Sequence, residues 1–217
     1  MVTRVHRDAS GMVWPTCSSS ARWVMREMID ALALEPGMNV LEIGTGTGYN
    51  AALPAEAGAR VVTVEIDPEL SAAASAALER TGFADRVSVA TGDGEQSVPG
   101  HAPFDRVIVT AAARTIPYPW VEQARDGGRI ALPYSGPECV GALVVLTVSG
   151  GTAEGHAVGD AYFMPPSCRC EARSSRSRCC RPNTRPTRFA GSTSPCPRPA
   201  RPSRSGEPHK ARTERFS

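Results

Sequence analysis

The chain has 217 residues, 41% hydrophobic and 21% charged, enough for one domain of ordinary size with its own core. No apolar run approaches the ~20 residues of a membrane span, and no apolar stretch of the signal-peptide kind follows the first seven residues. These features exclude a membrane-embedded or collagen-like chain and lead us to expect a cytoplasmic protein. The net charge of +2 hides two opposite parts: residues 167–217 hold 13 Lys+Arg against 3 Asp+Glu, which leaves 11 against 19 for residues 1–166.

Residues 1–17 show no clear periodicity and are expected to form a loose lead-in to a domain over residues 18–166. Val24, Met25, Met28, Ile29 and Leu32 recur at helical spacing, which predicts a helix over 21–34. Ser18, Ser19 and Ser20 offer N-cap hydroxyls just ahead of it, and Glu35-Pro36-Gly37 stops it. Strands are predicted over 39–43, 60–66 and 86–90, with helices over 49–57 and 68–81 between them. A fourth strand, 104–112, has the continuous apolar run of a strand buried on both faces. A helix over 119–125, strands over 128–133 and 142–148, and a returning arm over 152–164 complete the pattern. Strands alternating with helices at this spacing predict a doubly wound α/β sheet with right-handed crossovers. The last two strands would add an antiparallel hairpin at one edge, making a Rossmann-like, mostly parallel sheet of seven strands.

Three loops carry the chemistry. Gly44-Thr45-Gly46-Thr47-Gly48-Tyr49 follows a strand and opens a helix, the setting of a nucleotide-binding glycine loop. Glycines let the backbone approach a ligand, and the helix N-terminus behind them favours an anionic group. The spacing is G-x-G-x-G and departs from the dinucleotide fingerprint. Glu65, 19 residues after Gly46, ends the second strand, where a carboxylate accepts from both hydroxyls of a ribose. Asp67-Pro68 reads instead as a helix N-cap with proline at the first helical position. Gly92-Asp93-Gly94 follows the third strand, and its carboxylate suits an exocyclic amine such as that of adenine; a tight turn has the same look.

The last 51 residues are rich in Arg, Ser, Pro and Cys, with Phe189 and Phe216 as their only aromatics. Such a segment is expected to be disordered. Cys168, Cys170, Cys179 and Cys180 lack the paired C-x₂-C spacing of a zinc site. A basic nucleic-acid arm is one reading of the charge. A GC-rich message read out of frame after residue 166 is the preferred one, so no nucleic-acid partner is expected.

In this order the three loops resemble those of class I S-adenosylmethionine-dependent methyltransferases. The closer match is to the protein-L-isoaspartate O-methyltransferase family. Residues 40–50 resemble that family's first motif, Val64-Glu65-Ile66-Asp67 its second, and Gly92-Asp93-Gly94 its adenine loop. Phe104-Asp105-Arg106-Val107-Ile108-Val109-Thr110-Ala111-Ala112-Ala113, then Ile116-Pro117 and Gly127-Gly128-Arg129, is similar to its fourth and fifth strands. The resemblance covers residues 18–165.

It implies S-adenosylmethionine as cofactor, held by Glu42, Gly44, Thr45, Gly46, Gly48, Tyr49, Glu65, Ile66, Gly92, Asp93 and Gly94, and no metal. It also implies a protein or peptide partner bearing an isoaspartyl or aspartyl carboxylate, which is esterified. The ester of an isoaspartyl residue then cyclises to a succinimide, giving repair. The family places Thr-Ile-Ser-x-Pro before its first helix, with the serine at the reacting carboxylate. Counting back from Val40 without gaps lays Ser18-Ser19-Ser20 on Thr-Ile-Ser, which makes Ser20 the candidate catalytic hydroxyl. Arg22 stands where the motif has proline. Pro54 falls inside a predicted helix, and the chain leaves the family pattern after Met164-Pro165. Two alternatives stay open here: an aspartate methyltransferase tailoring a peptide product, and an inactive cofactor-binding remnant.

Overall fold

The structure is a computed structural model, and it describes residues 2–7, 11–136 and 140–163. The expectations for the basic tail, and for the boundary at residue 166, lie outside the described residues.

The N-terminal segment corrects the sequence reading. Strands β1 (Val2–Arg7) and β2 (Val13–Ser18) pair antiparallel as a hairpin. The pairing shifts register on either side of Arg4. Such an irregularity breaks the two-residue alternation that marks a strand, which is why Val2 and Val5 show no strand period.

Helix α1 (Arg22–Leu32) follows. Its N-cap is Ala21, with no side-chain cap, so the serines ahead of it do not cap it. It ends two residues before the predicted stop, with Ala33 left-handed at φ 49°. Its last carbonyls are met from across the fold: the guanidinium of Arg106 donates to Leu32 and Ala33, and that of Arg129 to Ala31. Cations at this end also suit the helix dipole.

Then come β3 (Asn39–Ile43), α2 (Tyr49–Glu56), β4 (Arg60–Glu65), α3 (Pro68–Arg80), β5 (Val87–Thr91) and β6 (Phe104–Val109). A short α4 (Tyr118–Glu122) leads into β7 (Ala124–Ser135), β8 (Val140–Ser149) and β9 (Thr152–Asp160). Asp67 caps α3 as expected, its Oδ1 accepting from the Glu69 and Leu70 amides. Pro54 lies in the last turn of the short α2, buried, and the helix runs on to Glu56.

The sheet has seven strands in the order β5-β4-β3-β6-β7-β8-β9. The first five are parallel, and β8 and β9 run antiparallel at one edge. Alternate residues feed two cores. Val40, Val61, Ile108 and Ala131 face Met25, Met28, Leu32, Ala51 and Leu78 of the first three helices. Leu41, Ile43, Val107, Val109, Ile130 and Leu132 face Trp120 and Val121 of α4. Burying each large side chain contributes about 1.5–3 kcal/mol. The chain turns one way from β3 to β4 and the other way at β6. In such sheets the ligand crevice opens where the order reverses, outside the carboxyl ends of the strands. Among the described residues no helix is long and apolar enough to cross a membrane.

Candidate functional site

The three loops at the carboxyl ends of the strands are tied to one another and to the β6 tip by direct contacts. The Thr110 hydroxyl, just beyond β6, donates to the carbonyls of Ile43 and Gly44 at 3.1 and 2.6 Å. The Glu65 carboxylate, at the β4 tip, accepts the Gly46 amide through Oε2 at 2.9 Å and the Asp67 amide through Oε1 at 3.1 Å. The Glu65 carbonyl accepts the Gly92 amide at 2.8 Å. The loop after β5 is fixed in turn by Trp120, whose Nε1 donates to the Gly94 carbonyl at 2.7 Å. Asp93 is exposed at its tip, with Oδ1 accepting the Glu95 amide.

Two glycines are required by this packing. A Cβ on Gly94 would lie 2.6 Å from Ile43 Cγ2. Gly44 has φ +96°, and its Cβ would lie 2.9 Å from the Thr110 hydroxyl that anchors the loop. Gly44→Ala is therefore expected to cost about 2–4 kcal/mol, from backbone strain and a displaced hydrogen bond. Denaturant unfolding checks this; a cost under about 1 kcal/mol would show that the loop accommodates a side chain.

Glu42 and Thr45 sit beneath the loop, both buried. Thr63, the register partner of Glu42 on β4, donates to Glu42 Oε2 at 2.6 Å and lies 2.7 Å from the Thr45 hydroxyl. Burial pushes the Glu42 carboxyl up to about 8; the Thr63 bond pulls the other way, and the Glu65 charge adds to the rise. Glu42 Oε1 is buried without a hydrogen-bond partner. Burial, with the charge of Asp93, also raises Glu95.

Ser20 reaches this end of the sheet. Its Oγ accepts from Asn50 Nδ2, on the first turn of α2, at 3.3 Å. Tyr49 is exposed beside it, and Ile66 is half-buried after Glu65. The structure thus brings Ser20, Gly44, Thr45, Gly46, Glu65 and the Gly92 loop to one end of the sheet. Sequence reasoning overlooked Thr63, Asn50 and Thr110 as parts of it. Thr63 carried no signal beyond its place in a strand. Thr110 was marked only by the Thr-Ala-Ala-Ala stretch. Cys17 was overlooked too: it is a free, buried thiol, 3.5 Å from where a Gly46 Cβ would stand. A separate hollow, lined by Asn39, Arg60, Asp85, Arg86 and His101 among others, includes the starts of β3 and β4, at the opposite end from the loops.

Comparison with known proteins decides the family. The model of the family described as protein-L-isoaspartate(D-aspartate) O-methyltransferase matches residues 4–166. The chain belongs to this family. A protein-L-isoaspartate O-methyltransferase of Hyperthermus butylicus is 40% identical over 156 residues, covering 67% of this chain and 65% of its own length. A solved structure bearing the same name superposes with a TM-score of 0.66 at 28% identity, over 76% of this chain and 52% of that one. The chain thus spans less than two thirds of either. A second solved structure, a putative member from Plasmodium falciparum in complex with S-adenosyl-L-homocysteine, shares the fold with a TM-score of 0.61 and 18% identity. It matches over 75% of this chain and 79% of that one. The family match begins inside β1, so all but the first two residues of the hairpin read as a lead-in fall within the matched region.

The cradle suits the family's cofactor. The Glu65 carboxylate has about four lone-pair sites and gives two to backbone amides, which leaves acceptors for two ribose hydroxyls. Glu42 Oε1 is a buried carboxyl oxygen without a hydrogen-bond partner, next to the strand tip.

Proposed function

We propose that this chain is an S-adenosylmethionine-dependent carboxyl methyltransferase acting on isoaspartyl residues of damaged proteins or peptides. The convergence of the three loops at the β3/β6 crevice, with Ser20 drawn to the same end by Asn50, is the observation that carries this reading. Glu65 would hold the ribose, Asp93 and the Gly92–Gly94 turn the adenine, and the loop from Gly44 to Tyr49 the remainder. Glu42 and Thr45 would act from beneath, by fixing that loop. S-Adenosylmethionine supplies an electrophilic methyl group on a sulfonium. The accepting carboxylate has an ordinary pKa near 4, is ionised at neutral pH and needs no general base. The protein's task is then to hold the carboxylate oxygen in line with the methyl carbon and to exclude water. Ser20 supports this by donating a hydrogen bond to the carboxylate oxygen that does not react. On this reading the protein works in the cytoplasm.

The test is a labelled-methyl assay on a matched pair of peptides, one with isoaspartate and one with aspartate. Label is expected on the isoaspartyl peptide alone. Ser20→Ala is expected to lower turnover about ten- to hundredfold and leave cofactor affinity nearly unchanged, since its bond forms on the reacting group. Equal labelling of both peptides would favour an aspartate-tailoring enzyme. Cofactor binding without labelling would mark an inactive member.

A further inference from the structure

We propose that Asn50 is a positioning residue that aims the Ser20 hydroxyl at the substrate carboxylate; the inference rests on the reaction proposed at Ser20. Asn50 is the second residue of α2 and is only 8% exposed. Its Nδ2 donates to Ser20 Oγ. That bond occupies a lone pair of the hydroxyl and leaves its proton to be given elsewhere. Among the described residues, no acceptor takes it. A substrate carboxylate only accepts hydrogen bonds. It is served by a serine whose proton is free and is repelled by one presenting lone pairs, so the direction of the Asn50 bond decides which Ser20 offers.

A second observation separates this from a structural role. Asn50 Oδ1 is buried without a hydrogen-bond partner. An unpaired buried amide oxygen works against stability. Alanine at this position, inside a helix that already holds Ala51, Ala52 and Ala55, would fold at least as well. The amide works against the fold, and among the described residues the one hydrogen bond its side chain makes is to Ser20.

The test uses wild type, Asn50→Ala, Ser20→Ala and the double variant in the isoaspartyl assay, with cofactor titration and thermal unfolding on each. Asn50→Ala is expected to lower kcat about tenfold, with cofactor Kd within about twofold and the thermal midpoint not lowered. The double variant should be no slower than Ser20→Ala, as for residues acting as one unit. Asn50→Asp keeps the shape but turns the donor into an acceptor that takes the Ser20 proton, and should also lose about tenfold or more. Full activity of Asn50→Ala beside a slow Ser20→Ala would overturn the inference and leave the proposed reaction standing. Losses that add in the double variant would overturn it too. A fully active Ser20→Ala would remove the proposed role of Ser20, and this inference with it.

Discussion

Glu65→Ala is expected to weaken S-adenosylmethionine binding by roughly 1.5–3 kcal/mol, about ten- to 150-fold. Two losses act in the same direction. On the proposed reading, the ribose hydroxyls lose a carboxylate acceptor at the β4 tip. The Gly46 amide also loses the Oε2 that holds it at 2.9 Å, and the Asp67 amide loses Oε1, so the glycine loop comes untied from its neighbour. Isothermal titration measures the effect. Glu65→Gln separates the two contributions: it keeps one acceptor oxygen but points an NH₂ at one of the amides, so it should fall between wild type and alanine. Unchanged affinity in a folded Glu65→Ala protein would remove this residue from the site.

The cofactor-free protein is expected to lose stability as pH rises from about 5 to 8, and Glu42 is the cause. Burial raises its carboxyl from the ordinary 4.5 to about 8. Below pH 4.5 the group is protonated in both the folded and unfolded chain and contributes nothing to the pH dependence. Between 4.5 and 8 the unfolded chain releases the proton while the folded chain keeps it, so unfolding is increasingly favoured. Above 8 both forms are ionised and the penalty is constant. Its ceiling is on the order of 5 kcal/mol, at 1.36 kcal/mol per pKa unit. Glu42→Gln keeps an oxygen for the Thr63 hydroxyl and removes the titration. Urea midpoints at pH 5.5 and 8 should converge in this variant and differ in wild type. The same pH slope in both proteins would assign the dependence to another group.

Much of the fold was legible in the chain. The run from Val40 to Gly48 announced a strand, a glycine turn and a helix, and these stand as Asn39–Ile43 and Tyr49–Glu56. Asp67 and Pro68 marked the start of α3 because a cap is a local interaction, settled within three residues. Glu65 was readable because a strand tip and a fixed spacing place it. The hairpin ahead of α1 was not readable, since its register shifts at Arg4 erase the alternation. The serines looked like caps, and only the folded chain shows Ala21 in that position.

What tertiary structure alone decided is which distant groups meet. Ser20 and Asn50 are 30 residues apart, Glu42 and Thr63 are 21, and Gly44 and Thr110 are 66. None of these pairs has a spacing that any local rule recognises. Sequence determines the backbone states that neighbours a few residues away enforce, and so it determined the element order, the glycine turns and the α3 cap. Hydrogen bonds between β3, β4 and β6 depend on strand order and register. These follow from burying two apolar faces at once, and so the network under the loop and the direction of the Ser20 bond became visible only in the assembled sheet.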